Sequence, residues 1–132
     1  MKVMVIGSLA SKKDFDKIKY FQKKISELNF EIINQLDLDY RDIENFYGEK
    51  DFAKRIVMHD ISKLMDSDIV IALGEIPSWG TSMEILISKL LGKKVIFFVK
   101  ENVRSPWPVY FSDKLVRGEK ELFEFLTSLR SK

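Results

Sequence analysis

Two carboxylates stand where the sequence could support nucleophilic or acid–base chemistry. Glu84 follows a turn-rich segment, residues 77–83, that leads into a predicted helix, and Asp60 lies near the end of the helix predicted before it. In such a pair, one carboxylate can attack or carry charge while the other transfers a proton. Each also has a purely structural interpretation, because Thr81-x-x-Glu84 matches a capping box and Asp60 could lie on a polar helix face.

These residues have to be positioned by alternating strands and helices. Apolar, β-branched runs predict strands at residues 3–6, 30–33, 68–73 and 94–99. Apolar residues at three- or four-residue steps predict helices between the first two strands and over residues 51–65, 81–91 and 120–130. The order predicts one α/β domain over residues 1–132, a three-layer αβα, doubly wound, flavodoxin-like parallel sheet with strand order 2-1-3-4. A fifth, short strand is a further option.

Two segments are predicted to be irregular, residues 37–48 and 102–113. The second contains Pro106-Trp107-Pro108, which fits neither a regular helix nor a central strand. In a doubly wound sheet, ligands bind beyond the carboxyl ends of the strands, where the strand order reverses. The sequence therefore places the ligand site at loops 7–11 and 74–84, the second of which enters its helix through glycine and small hydroxyl residues that suit an anion.

Composition narrows the classes of function. The 132 residues include no cysteine and one histidine, His59, which excludes disulfides, thiol nucleophiles and cysteine- or histidine-rich metal sites. A net charge of +2 gives no general attraction to nucleic acid or to an anionic membrane, so we expect a small-molecule partner. No apolar run is long enough for a signal peptide or a membrane helix, which indicates the cytoplasm.

Common nucleotide and signalling motifs are missing after the first strand. Neither a Walker loop nor a dinucleotide-binding glycine fingerprint occurs there. Gly7-Ser8 and Gly74 stand where a response regulator would need acidic residues. We therefore expect no cofactor and no metal.

One set of residues resembles a known family. Asp60, the run Ser67-Asp68-Ile69-Val70-Ile71-Ala72, the motif Pro77-Ser78-x-Gly80 and Glu84 resemble the nucleoside 2-deoxyribosyltransferase superfamily, especially its 2′-deoxynucleoside 5′-phosphate N-hydrolases. Gly7-Ser8 and the segment 92–96 are similar to the same family. The resemblance covers about residues 1–10 and 60–100.

The resemblance implies a role for each matching residue. Glu84 would be the nucleophile that attacks C1′ of the sugar, held ionised by the dipole at its helix N-terminus, and Asp60 would protonate the leaving base. If the two carboxylates approach to about 5 Å, a retaining mechanism through a glycosyl–enzyme ester is expected. Ser78, where the transferases carry aspartate, would bind a 5′-phosphate.

Further residues are similar to positions around the family's phosphate. These are Gly7, Ser8 and the backbone of Gly80, whose hydroxyl and N–H donors suit a dianion. Lys12 and Lys13 stand at the predicted start of the first helix, where cations oppose the helix dipole unless an anion is bound. They could equally be unrelated surface lysines.

The resemblance also implies a homodimer or a higher homo-oligomer. In the family, the loop after the fourth strand completes the pocket of a neighbouring subunit, and Ser112 resembles the serine of that loop if one residue is inserted. We expect Trp107 or Tyr110 at the contact.

The chain departs from the family's pattern at three positions. Met4 replaces a tyrosine, Ala10 replaces an arginine and Ser82 replaces a glycine. Without the arginine, the phosphate site needs another cation, and without the tyrosine, part of the acid–base relay is missing. His59 could touch the base or be an ordinary half-buried side chain, and Trp79 could stack on the substrate or pack the loop onto the domain.

The leading hypothesis is hydrolysis of the N-glycosidic bond of (2′-deoxy)nucleoside 5′-monophosphates. A nucleoside 2-deoxyribosyltransferase would share Glu84 and the covalent intermediate but resolve it with a second base. A non-catalytic nucleotide-binding or sensing module and a flavin-binding protein are alternatives from other classes.

Overall fold

A computed structural model describes residues 1–130 of the chain. Its elements are, in chain order, β1 (Lys2–Ile6), α1 (Lys12–Ser26), β2 (Glu31–Ile32), a 3₁₀ turn (Gln35–Asp37), α2 (Lys50–Asp66), β3 (Ile69–Leu73), α3 (Trp79–Leu90), β4 (Lys94–Val99), α4 (Pro106–Phe111), β5 (Lys114–Arg117) and α5 (Gly118–Arg130). No helix among these is long and apolar enough to cross a membrane.

The strands form one parallel sheet in the order β2-β1-β3-β4-β5. The predicted order of the first four strands is confirmed, and so is the option of a fifth strand. Val3 of β1 lies between Ile32 of β2 and Ile69 of β3. Because β1 has its sequence neighbour β2 on one side and β3 on the other, the strand order reverses there, and a crevice opens beyond the ends of β1 and β3.

Helices cover both faces of the sheet, which explains the nearly continuous apolar strands. One face packs against α1 and α5 through a cluster that includes Val3, Val5, Ile18, Phe21, Ile71, Phe98, Leu122 and Leu126. The other face packs against α2 and α3 through a cluster that includes Met4, Ile6, Leu64, Val70, Ala72, Ile85, Val95 and Phe97. Alternate residues of each strand thus point to opposite helical layers, and the sheet forms a rigid platform for the loops at its carboxyl end.

The prediction that residues 102–113 are irregular is wrong, because Pro106–Phe111 form helix α4. Ser105 is the N-cap, and its side chain accepts from the N–H of Trp107. Pro106 and Pro108 therefore fall in the first turn, where backbone N–H groups have no partner within the helix. Proline costs nothing at these positions, although it would break a helix interior.

Candidate functional site

The crevice at the ends of β1 and β3 contains an open pocket, with about 330 Å³ of empty space when the solvent at its mouth is included. It is lined by Ile6, Gly7, Leu9, Gln35, Tyr40, Asp60, Ser78, Gly80, Thr81 and Glu84. Five residues singled out from the sequence lie here together: Gly7, Asp60, Ser78, Gly80 and Glu84. Gly7 follows β1, Asp60 lies on α2, Ser78 caps α3, and Gly80 and Glu84 lie on α3, so only the sheet topology brings them into one place.

Helix α3 places Glu84 at the pocket, and it begins earlier than predicted. Ser78 is the N-cap, with an extended backbone, and its side chain accepts from the N–H of Thr81 at 3.4 Å. Thr81 is therefore the third helical residue, and the predicted capping box of Thr81 and Glu84 is wrong. Glu84 lies in the second turn of α3, where its side chain is free to face the pocket.

The expectation that Glu84 is held ionised by the helix dipole is also wrong. The dipole acts mainly within the first turn, and Glu84 lies beyond it. Burial of the carboxyl raises its pKa to about 8, and the negative charge of Asp60 adds to the effect. At neutral pH the free protein therefore holds a proton on this carboxyl most of the time.

Asp60 reaches the pocket from the last turns of α2. Burial raises the pKa of its carboxyl, while a hydrogen bond with His59 and the charge of that ring oppose the rise. Atom Oδ1 of Asp60 lies 2.9 Å from Nδ1 of His59, so the histidine sits behind the carboxyl. His59 itself does not line the pocket. The interpretation of His59 as a residue that touches the base is therefore not supported.

Sequence reasoning missed three polar residues of the pocket: Gln35, Tyr40 and Thr81. Burial raises the pKa of Tyr40 to about 12, with the charges of Asp60 and Glu84 acting in the same direction, so its hydroxyl stays protonated and can donate. Within residues 1–130, Gln35 Oε1 and Thr81 Oγ1 are buried without a hydrogen-bond partner. Two unpartnered oxygens on a pocket wall are available to a ligand that brings donors.

Ser8 lies beside the main pocket rather than in it. Its hydroxyl donates to Oδ2 of Asp14 at 3.0 Å and accepts from the N–H of Ala10. Ser8, Asp14 and Lys17 help to line a smaller adjoining pocket. Lys17 in turn forms an ion pair with Glu75. The cation that lines this smaller pocket is thus already engaged by a carboxylate.

The structure places the positions at which the sequence departs from the pattern of the family that it resembles. Met4 is completely buried in the core, so it offers no counterpart to a polar side chain on β1. Ala10, Lys12 and Lys13 are exposed around the start of α1, which begins at Lys12 as predicted. Tyr40 is the one residue of the pocket that carries a phenol, the group that is missing at Met4.

Trp79, Trp107 and Ser112 lie outside the pocket. Trp79 is 88% exposed, so the interpretation in which it packs the loop onto the domain is wrong. Trp107 stacks on Phe111 with 6.1 Å between ring centroids. Ser112 is the C-cap of α4 and does not line the pocket of its own chain. No group of three or more potential metal ligands occurs within residues 1–130.

Comparison with known proteins identifies similar solved structures but no relative by sequence. No family model matches the sequence, and no curated protein matches it significantly. A conserved protein from Enterococcus faecalis V583 is similar over 98% of both chains, with a TM-score of 0.78 and 16% identity. A 2-deoxyribosyltransferase from Bacillus psychrosaccharolyticus is similar over 96% of both chains, with a TM-score of 0.75 and 13% identity.

A third neighbour is a CMP N-glycosidase from Clostridium botulinum. It is similar over 100% of both chains, with a TM-score of 0.63 and 20% identity. At identities this low, these likenesses establish the fold, and the activity has to be argued from the pocket.

Proposed function

We propose that the chain hydrolyses the N-glycosidic bond of (2′-deoxy)nucleoside 5′-monophosphates, with Glu84 as the nucleophile. The observation that carries the proposal is the convergence of Glu84 and Asp60 in one pocket at the point where the strand order reverses. Two of the structural neighbours are by name a 2-deoxyribosyltransferase and a CMP N-glycosidase, which favours glycosidic-bond chemistry. We take the chain as one domain of the nucleoside 2-deoxyribosyltransferase type.

The reaction divides between the two carboxylates. The Glu84 carboxylate attacks C1′, and the C1′–N bond breaks with its electron pair remaining on the base. Asp60 gives its proton to the departing base nitrogen, which leaves a sugar-phosphate ester on Glu84. Water then attacks C1′ and gives a proton to Asp60, which releases the sugar 5-phosphate and restores both side chains.

The raised pKa of Glu84 suits this chemistry. In the empty pocket the two carboxyls together hold a proton, because burial and mutual repulsion disfavour two charges. Positive charge develops at C1′ as the glycosidic bond breaks, and it stabilises an ionised Glu84 far more in a buried site than in water. The attraction is thus strongest in the transition state, where it accelerates the reaction.

A 5′-phosphate is the expected anchor of the substrate. Ser78 uses one lone pair to accept from Thr81, so its O–H proton remains free to donate. The N–H groups of Trp79 and Gly80 belong to the first turn of α3, where no intrahelical acceptor exists. A Cβ built on Gly80 would meet no atom closer than Ser78 Oγ at 3.9 Å, so the backbone there is open to approach.

The chain is also proposed to form a homodimer or a higher homo-oligomer. Helices α3 and α4 pack against each other and expose a patch of large apolar side chains, here called the α3/α4 patch. It comprises Met83, Leu86 and Leu90 of α3, the C-cap Leu91, and Trp107, Val109 and Tyr110 of α4. Covering this patch with a second copy would bring Ser112, next to α4, toward the subunit contact.

Incubation with a panel of substrates tests the proposal. The panel contains ribo- and 2′-deoxyribonucleoside 5′-monophosphates, the matching nucleosides, and nucleosides with an acceptor base. We expect wild type to release free base and sugar 5-phosphate, and Glu84→Gln to release neither. Glu101→Gln, which changes an exposed glutamate of the loop after β4, serves as the matched control with wild-type rates.

The same panel separates the alternatives. Ser78→Ala should raise KM for monophosphates but not for nucleosides, which identifies the phosphate anchor. Base exchange in place of hydrolysis would show a deoxyribosyltransferase. A nucleotide that raises the melting temperature without being consumed would show a binding module and overturn the catalytic proposal.

A further inference from the structure

Behind Asp60, three side chains form a hydrogen-bonded chain that leads from the pocket to the surface. His59 Nδ1 lies 2.9 Å from Asp60 Oδ1, and His59 Nε2 lies 2.7 Å from Asp37 Oδ1. Lys63 Nζ lies 3.1 Å from the other carboxylate oxygen of Asp37. The side chains of His59 and Asp60 are each 22% exposed and that of Asp37 is 52% exposed, so the chain ends in water.

To be favourable at both ring nitrogens, this hydrogen-bonded chain needs one more proton than two ionised carboxylates and a neutral imidazole carry. A neutral imidazole carries one N–H and can donate to one carboxylate alone. If Asp37 and Asp60 were both ionised, the second ring nitrogen of His59 would direct a lone pair at a carboxylate oxygen. Both contacts become favourable when the ring carries two protons, since each N–H then donates to one carboxylate.

Charged and titratable groups from several elements surround the hydrogen-bonded chain. Asp37 faces the ring from the 3₁₀ turn, and Lys63, one turn further along α2, pairs with Asp37. Glu84 of α3 and Tyr40 of the segment after the 3₁₀ turn face Asp60 from the pocket side. Although partial desolvation opposes it, hydrogen bonds from Lys63 and His59 lower the pKa of Asp37, so its carboxylate is the permanent charge of the chain.

We propose that His59 is a positioning residue for the proton transfer by Asp60, a proposal that rests on the proposed function. Doubly protonated and anchored by Asp37, it holds Oδ1 of Asp60 and leaves Oδ2 to face the substrate. When the Oδ2 proton passes to the departing base nitrogen, the Nδ1–H of His59 stabilises the carboxylate that remains. The ring keeps both protons, and Asp60 recovers its proton from the attacking water.

The first test reads the ring directly. His59 is the one histidine of the sequence, so ¹⁵N NMR of histidine-labelled protein reports it alone. We expect each ring nitrogen to show the coupling to a bonded hydrogen that a donor to a carboxylate has, and one of them to lose this coupling in Asp37→Asn. The matched control is Asp39→Asn, since Asp39 belongs to the same segment but pairs with Arg41. A wild-type ring with a single protonated nitrogen would overturn the proposal.

The second test reads Asp60. His59→Asn keeps an amide N–H near the position of Nδ1 but removes the charge of the ring. The signals of all other residues, compared with those of wild type, show whether the variant is folded. We expect the ¹³C signal of the Asp60 carboxyl to titrate at higher pH in this variant, as an acid about tenfold weaker than in wild type. An unchanged titration would refute the role assigned to His59.

The third test is kinetic. The acid limb of the pH profile of kcat/KM should move to higher pH in His59→Asn, with KM at the optimum unchanged because His59 does not line the pocket. A uniform fall of kcat with an unmoved limb would indicate a merely structural role and overturn the proposal. If wild type cleaves no substrate, the proposed function fails, while the two NMR tests still decide what His59 does to Asp60.

Discussion

Glu84 is the residue at which stability and the proposed chemistry conflict. Its pKa is about 8 in the folded protein against an ordinary value of 4.5. Between these values the folded protein binds more protons than the unfolded chain, so the free energy of unfolding falls as the pH rises from about 4.5 to about 8. Above pH 8 the folded state carries the full cost of a buried carboxylate.

Replacing this carboxyl with a neutral isostere should therefore stabilise the protein. We expect the free energy of unfolding of Glu84→Gln to rise relative to that of wild type as the pH increases from about 4.5 to about 8, by on the order of 4 kcal/mol in all. Urea denaturation over a pH series measures this difference. Glu101→Gln, which keeps Glu84, should follow the wild-type curve across the pH series. If the Glu84→Gln curve runs parallel to that of wild type, the pKa of Glu84 is not raised by folding.

The same pair of carboxyls sets the pH dependence of the rate. The reaction needs one proton shared by Asp60 and Glu84, on Asp60 when the bond breaks, so the two groups titrate as a unit. We expect kcat/KM for the best monophosphate to be bell-shaped, with its alkaline limb near the pKa of about 8 given for Glu84. A rate that keeps rising above pH 8 would contradict the use of that proton.

At the scale of elements, two glycines end the strands that carry the pocket, and one of them has no room for a side chain. A Cβ built on Gly74 would lie 2.2 Å from Cζ of Phe97, which is buried in the core. The chain needs this close approach to turn away from β3 toward the N-terminus of α3. The pocket thus depends on the packing of the loop against the sheet.

Gly74→Ala should therefore destabilise the protein by about 1–3 kcal/mol, because the ring of Phe97 has to move. Thermal and urea denaturation measure the loss. Gly80→Ala is the matched control, since its Cβ enters open space in the first turn of a helix, and its stability should equal or exceed that of wild type by up to about 1 kcal/mol. Equal stability of the two variants would contradict the packing argument.

Most elements were predictable from hydrophobic period, but the start of α3 and the existence of α4 were not. Helix α3 begins at the first good N-cap, Ser78, because Ser78 accepts from Thr81, whereas the sequence pattern alone favoured Thr81. Helix α4 forms because both of its prolines fall in the first turn. In each case a local hydrogen bond decides the boundary, and its geometry cannot be read from residue types.

At the scale of the whole molecule, strand order was predictable because alternating strands and helices leave few right-handed arrangements. The order then identified the crevice and brought Asp60 and Glu84 into one pocket. Gln35 and Tyr40 escaped prediction because they lie in and after a short 3₁₀ turn without period. The raised pKa of Glu84 depends on burial, which emerges only when the loops are assembled.

The α3/α4 patch predicts self-association. Leu90, Trp107 and Tyr110 are 77%, 67% and 80% exposed, and groups of exposed apolar side chains mark interaction surfaces. We expect light scattering to give a mass of two or more copies for wild type and of one copy for the double variant Leu90→Lys/Tyr110→Lys. Tyr47→Lys, which changes a 95% exposed residue outside the patch, should stay associated. A monomeric wild type would contradict this part of the proposal.

The central claim is that Glu84 attacks the sugar, and a trapped intermediate tests it most directly. Wild type is mixed with a 2′-fluoroarabino nucleoside 5′-monophosphate, whose fluorine slows both steps by destabilising positive charge at C1′. After acid quenching and digestion, mass spectrometry should find the fluorinated sugar phosphate esterified to Glu84. Base release with no label on any peptide, or with the label on Asp60, would contradict the assignment of Glu84 as the nucleophile.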